Sequence, residues 1–229
     1  MFDSFKRFSQ LYYLLVAVFM STVLFDLPWL HYMVKPLFMI MLILFLHWQI
    51  GGKYNFFFKA VQFGLFFSWI GDIALMFDEQ VEILFVVGLA AFLVAHLGYS
   101  LGFVGNIRDS KEKLQVGKGV VTAIPFAAFT GCFFYYMKDG LPAELFVPVL
   151  AYTIVISIMG ITAALRHGHV GSKTFQWVLW GAILFILSDC VIAVNKFVID
   201  FEYDAILNMA LYLSGQYMIT VGAVHHSKN

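Results

Sequence analysis

Eight runs of mostly apolar residues, each near the length that carries a helix across a bilayer, divide this 229-residue chain almost end to end. They are 10–25, 33–50, 56–77, 83–105, 116–137, 143–165, 174–196 and 205–225. About 20 such residues span the hydrocarbon core as a helix. A membrane barrel needs alternating segments of about ten residues instead, and these runs are continuous. The chain is 62% hydrophobic and 12% charged, against roughly 45–50% and 25% in soluble domains. That leaves too little polar surface to coat a water-soluble globule. The expected fold is an all-α membrane protein with eight transmembrane helices, a single polytopic domain over residues 1–229. The formal net charge of zero leaves no electrostatic footprint for nucleic acid. Cys132 and Cys190 both sit in apolar runs and form neither a disulfide framework nor a CxxC metal motif.

Basic residues set the expected orientation. Eleven of the 14 Lys and Arg lie at the N-terminus, in the loops after the second, fourth and sixth runs, and at the tail; Lys35, Lys138 and Lys196 take the other side. The positive-inside rule then puts both termini in the cytoplasm, as an even number of spans requires. Asp78, Glu79, Glu82, Asp139, Asp200, Glu202 and Asp204 gather on the outer side. The first run has no small-residue cleavage site after it and reads as a retained signal-anchor. The basic stretch 106–119 reads as a solvated topogenic loop, with lipid-headgroup contact the weaker alternative.

Two acids lie well inside spans. Gly71-Asp72 in the third run and Ser188-Asp189 in the seventh each place a small residue before an Asp and an apolar stretch after it. The two runs are four spans apart, which leaves open a 4+4 parallel repeat with halves 1–105 and 116–229. Counted at 1.5 Å per residue, Asp72 lies about 7–8 Å and Asp189 about 10 Å below the outer helix ends. An Asp in hydrocarbon costs at least about 2.5–3.5 kcal/mol, so it is kept where it faces the bundle interior or a wet cavity. Helix–helix hydrogen bonding competes with a functional role, since Gly71 and Ser188 also permit close packing.

Other polar residues join this pair. Lys35 precedes Pro36 at the outer start of the second span and either snorkels to the interface or faces Asp72 or a phosphate. His96 lies about 20 Å along the fourth span, deeper than either Asp. A direct contact with Asp72 then requires a long reach or a shifted helix. Gln216 and Tyr217 have similar depth on the eighth span, while Tyr152, Asn195, Asn208 and Tyr212 read as packing or cavity-lining groups. His167 with His169, and His225 with His226, lack further ligands nearby in sequence. No GxSxG, HExxH or P-loop motif occurs. No metal and no cofactor is expected.

Lys35-Pro36-Leu37, Gly71-Asp72, the Gly88…Phe92…His96…Tyr99 run, Gly181-Ala182…Phe185…Ser188-Asp189 and Tyr212…Gln216 together resemble, in order, the lysoplasmalogenase (YhhN) family. The resemblance covers spans two to eight. Cys190 departs from the small hydroxyl residue that the pattern leads one to expect. The resemblance implies an eight-helix integral membrane hydrolase. It would cleave the vinyl ether of lysoplasmalogens to a fatty aldehyde and a glycerophospho-base. Its partners would be a lysophospholipid substrate and membrane lipid. Asp72 and Asp189 would be catalytic. Lys35 would hold the phosphate, with His96, Tyr99, Tyr212 and Gln216 also on the substrate side.

A vinyl ether hydrolyses by protonation of its β-carbon, which gives an oxocarbenium ion that water attacks; the slow step needs a placed general acid. A carboxyl in a low-dielectric site keeps its proton to higher pH. A second carboxylate can stabilise the cation or orient water. One proton shared by Asp72 and Asp189 meets both needs, and either residue can be the acid. A proton-coupled transporter is the alternative, because two intramembrane Asp in a parallel repeat also suit a proton relay.

Overall fold

Helix ends follow local chemistry. A computed structural model describes residues 2–52 and 54–227; Lys53 and Lys228, two of the basic residues that enter the orientation count, lie outside the described residues. The described chain forms α1 (Phe2–Leu24), α2 (Pro28–Val34), α3 (Leu37–Ile50), α4 (Phe56–Leu75), α5 (Ile83–Asp109), α6 (Val116–Met137), a 3₁₀ turn (Lys138–Gly140), α7 (Ala143–Leu165), α8 (Ser172–Phe197) and α9 (Asp204–His226). Pro28 opens α2 in the first turn, where a missing N–H costs nothing. Pro36 splits the second span into α2 and α3, leaving Lys35 at the break. Gly51 ends α3 in a left-handed conformation (φ 54°) that side chains disfavour. Asn55 caps α4, its side chain accepting from the Phe58 N–H at 3.0 Å.

Among the described residues seven helical segments are long and apolar enough to cross a membrane, with α2 and α3 together making one of them. The protein is an integral, multi-pass membrane protein. α9, at 23 residues, has the length but falls short in apolarity. It carries Asn208, Ser214, Gln216 and Thr220, and its Gln216 and Thr220 are fully buried. The reason is position: α9 packs against α8, α3, α4 and α1, inside the bundle rather than against lipid. α6 is the opposite case, packed mainly on α7 and exposing Val120, Val121, Ile124 and Phe129.

The most intimate helix pairs are α4 with α5 and α8 with α9. Gly181 and Gly215 set the second. A Cβ on Gly181 would come within 2.8 Å of the Gly215 carbonyl oxygen, and one on Gly215 within 2.9 Å of that of Gly181. Backbone meets backbone there, the approach that small residues permit between membrane helices. Helix alternation gathers Lys35, the 76–82 loop, the 3₁₀ turn and the 198–203 loop at one end of the bundle, the acidic end. Arg108, Arg166 and Lys173 lie at the other, the basic end.

Candidate active site

Asp189 is 7% exposed on α8 and sits between two neighbours. Tyr152 on α7 donates its hydroxyl to Oδ2 at 3.0 Å. His96 on α5 brings Nε2 to 3.1 Å from the same oxygen, short of full hydrogen-bond geometry. The other ring nitrogen of His96 lies 2.5 Å from the Phe92 carbonyl oxygen. A carbonyl only accepts, so Nδ1 carries a proton. Nε2 itself makes no hydrogen bond among the described residues, so it faces Asp189 at ion-pair distance only.

Asp72, 3% exposed on α4, has a different set. Tyr212 on α9 donates to Oδ2 at 2.8 Å. Half-buried Lys35 interacts electrostatically with Asp72 and with Asp78. Toward the basic end along the same helices, Tyr99 donates to Gln216 Oε1 at 2.6 Å and Gln216 Nε2 donates to Ser68 Oγ at 2.8 Å. This fully buried trio ties α4, α5 and α9 together.

Among the described residues no hydrogen bond joins the two carboxyls. An aromatic wall stands between their tyrosines. Tyr212 packs edge-on against Phe92 and Phe185, with ring centroids at 5.7 and 5.3 Å. Phe185 lies 4.5 Å from the His96 ring, and His96 lies 5.5 Å from that of Tyr152.

Asp189 also faces a narrow gap between helices. This cavity, about 40 Å³, is lined by Asp189, Tyr152 and Thr153 and otherwise by apolar side chains, including Leu89, Phe133 and Ile192. Asp72 is not part of its lining. At the acidic end the Lys196 ammonium rests 4.8 Å above the ring of Phe85, which also lines the cavity.

The sequence profile of the YhhN family matches residues 30–223. The chain belongs to the YhhN family. It is 30% identical to rat "Lysoplasmalogenase TMEM86B" over 198 residues, 86% of this chain and 74% of that protein. The pig protein of the same name is 28% identical over 225 residues, covering 97% and 88% of the two chains. A "Lysoplasmalogenase" of Mycobacterium tuberculosis is 29% identical over 140 residues, 60% of this chain and 50% of that one. No solved structure matches the chain.

In this YhhN chain the expected site residues divide into groups. His96 is in contact with Asp189, although helix-end counting sets it about 10 Å deeper. Side-chain direction narrows the gap. Side chains lean toward their own helix N-terminus, and α5 and α8 are antiparallel, so His96 and Asp189 lean toward each other. Tyr212 joins Asp72 for the same reason. Tyr99 and Gln216 bond to each other and do not line the cavity. Lys35 lies on the Asp72 side. Two residues gain importance. Tyr152 is a direct partner of Asp189 rather than a packing group, and Lys196, counted above only for topology, rests on Phe85 of the cavity lining.

Proposed function

We propose that the chain hydrolyses the vinyl ether bond of lysoplasmalogens to a fatty aldehyde and a glycerophospho-base, with Asp189 as the proton donor. The names of its relatives support the substrate. The observation that supports the residue assignment is that Asp189 lines the apolar cavity, whose lining does not include Asp72, and has His96 Nε2 3.1 Å from its carboxyl. The alkenyl chain lies along the apolar wall. Asp189 delivers its proton to the β-carbon, and the electron pair of the C=C bond forms the new C–H bond. The α-carbon becomes an oxocarbenium ion. Water adds to it, His96 accepts the proton that water releases, and the hemiacetal collapses to aldehyde and alcohol. The proton then returns to Asp189, so the net reaction consumes one water. Tyr152 holds the carboxylate that forms as the proton leaves. Lys196 takes the phosphate at the acidic end, and Lys35 balances Asp72, whose bond to Tyr212 steadies the wall.

This reading includes a parallel 4+4 repeat with both termini in the cytoplasm. Spacing supports the repeat: Gly64, Asp72, Gly98 and Gly105 recur 117 residues later as Gly181, Asp189, Gly215 and Gly222. Tyr99 and Gln216, at the same spacing, bond to each other. Lys35 and Tyr152 share it too, one the electrostatic neighbour of the first Asp and the other a donor to the second. The two acids are then equivalent positions that have diverged, one keeping a cation and the other a histidine and a cavity.

Protein purified in detergent should release aldehyde from a lysoplasmalogen with no ion gradient present. Gradient-dependent solute uptake by proteoliposomes without any aldehyde release would favour the transporter instead.

A further inference from the structure

We propose that Arg166 forms an oxyanion-binding site at the basic end of the bundle, suited to a phosphate group. Arg166 follows α7 and is fully buried. Its Nε donates to Asn106 Oδ1 at 3.1 Å on α5. A guanidinium has five N–H donors, four of them on Nη1 and Nη2. Neither of those nitrogens has a hydrogen-bond partner among the described residues. The rings of Phe57 and Phe103 lie 5.1 and 5.3 Å from the guanidinium carbon. They supply quadrupoles but no counter-charge.

The neighbouring bonds carry no negative charge either. Arg166 Nε can only donate, so the amide oxygen of Asn106 faces it and the amide nitrogen faces His226, 3.2 Å from Nε2. In the first turn of α8 the Thr174 hydroxyl is fully buried and likewise without a partner among the described residues. His167, next to Arg166, packs its ring on Phe175, next to Thr174, at 5.0 Å. Burial pulls the Arg166 guanidinium down to about 9, still above neutral pH, so the charge remains. A buried charge without a counter-ion is among the costliest arrangements in a protein. A planar fork of free N–H donors matches a phosphate bidentately.

The surface beside Arg166 in the chain is electropositive. A groove of about 560 Å³ at this end is lined by Ala164, Leu165 and His167, which flank Arg166 in the chain, and by Lys113, Lys118 and His169; Arg166 itself is not among its lining residues. Glu112 is the one acid among its lining residues. Such a lining raises the local concentration of anions. Arg166 is fourteen residues from Tyr152 along α7, about 21 Å at 1.5 Å per residue. It therefore does not serve the phosphate of a substrate seated at Asp189, and the site stands whether or not that reading of the cavity does.

The test is thermal unfolding of the purified protein with two probes. One is inorganic phosphate, titrated in uncharged detergent at constant ionic strength. The other is phosphatidic acid, compared in nanodiscs of phosphatidylcholine with and without it. Saturation to about 100-fold over Kd should raise the wild-type midpoint by roughly 5–10 °C. A rise with phosphate in detergent identifies a free anion as a ligand, and a rise confined to phosphatidic acid identifies a lipid headgroup. Both outcomes support the site. Arg166→Gln should respond to neither probe. Asn106→Asp sets a carboxylate beside the guanidinium, so this variant should fold with a raised midpoint and a flat response to both probes; it decides the matter if Arg166→Gln does not fold. A wild-type midpoint indifferent to both probes, or either variant responding as wild type does, overturns the proposal.

Discussion

Replacing Tyr152 with Phe separates chemistry from packing at the proposed acid. The ring stays against His96, and the substitution deletes one oxygen and the 3.0 Å donor it supplies to Asp189 Oδ2. That bond is neutral-to-neutral while the carboxyl holds its proton and becomes charge-assisted as the proton leaves, so its loss weighs on the transition state. A hydrogen bond to a charged group is worth about 1.5–3 kcal/mol, which corresponds to a kcat lower by about 10- to 150-fold. KM should change little, because the apolar wall that holds the chain is intact. Tyr212→Phe deletes the matching donor to Asp72, at 2.8 Å. It should cost less than 10-fold, since Asp72 does not line the cavity. Aldehyde release per folded molecule, measured across substrate concentrations for both variants, reads the difference. A Tyr152→Phe enzyme with unchanged kcat and a raised KM would reduce Tyr152 to a wall residue. Equal losses in the two variants would refute the asymmetry between the acids.

Lys196→Ala should raise KM for a lysoplasmalogen several-fold at near-constant kcat, with Lys35→Ala smaller in that respect; steady-state kinetics on the two variants checks this. Activity should survive incubation with EDTA, because carboxyl acid catalysis calls for no Lewis acid; loss restored by one divalent ion would contradict the chemistry. Cysteine labelling in intact cells should find 78–82 accessible from outside and 111–113 only after permeabilisation. The reverse pattern would invert the orientation.

The spans were legible because the cause is local. A helix in lipid must satisfy its own backbone, so length and apolarity write its limits directly into the chain. The 116–137 and 143–165 runs coincide with α6 and α7. α9 was legible as a run but stands apart in composition, since a helix enclosed by others can carry Gln216 and Thr220 at no cost to lipid. The acids announced themselves as carboxyls within apolar sequence. Their partners did not, because partner choice depends on how far one helix slides along another and which way each side chain leans. Counting from helix ends made Asp72 and Asp189 neighbours in depth and His96 remote, whereas the packed bundle pairs His96 with Asp189. Arg166 was hidden for another reason. A cation in a basic loop satisfies the orientation rule, so nothing in its sequence context distinguishes a buried guanidinium from a solvated one.

The most direct test of the account is aldehyde release by Asp189→Asn beside Asp72→Asn, each normalised to folded protein. An amide in place of Asp189 keeps size and can still accept from Tyr152, but it has no proton to give. The account predicts a folded Asp189→Asn protein with kcat lower by roughly 10²–10⁴, the range for general acid–base groups. A His96→Gln change added to it should cost little more, because members of one catalytic unit are non-additive. Asp72→Asn should lose distinctly less. A folded Asp189→Asn protein that turns over at the wild-type rate would contradict the assignment of Asp189 as the proton donor.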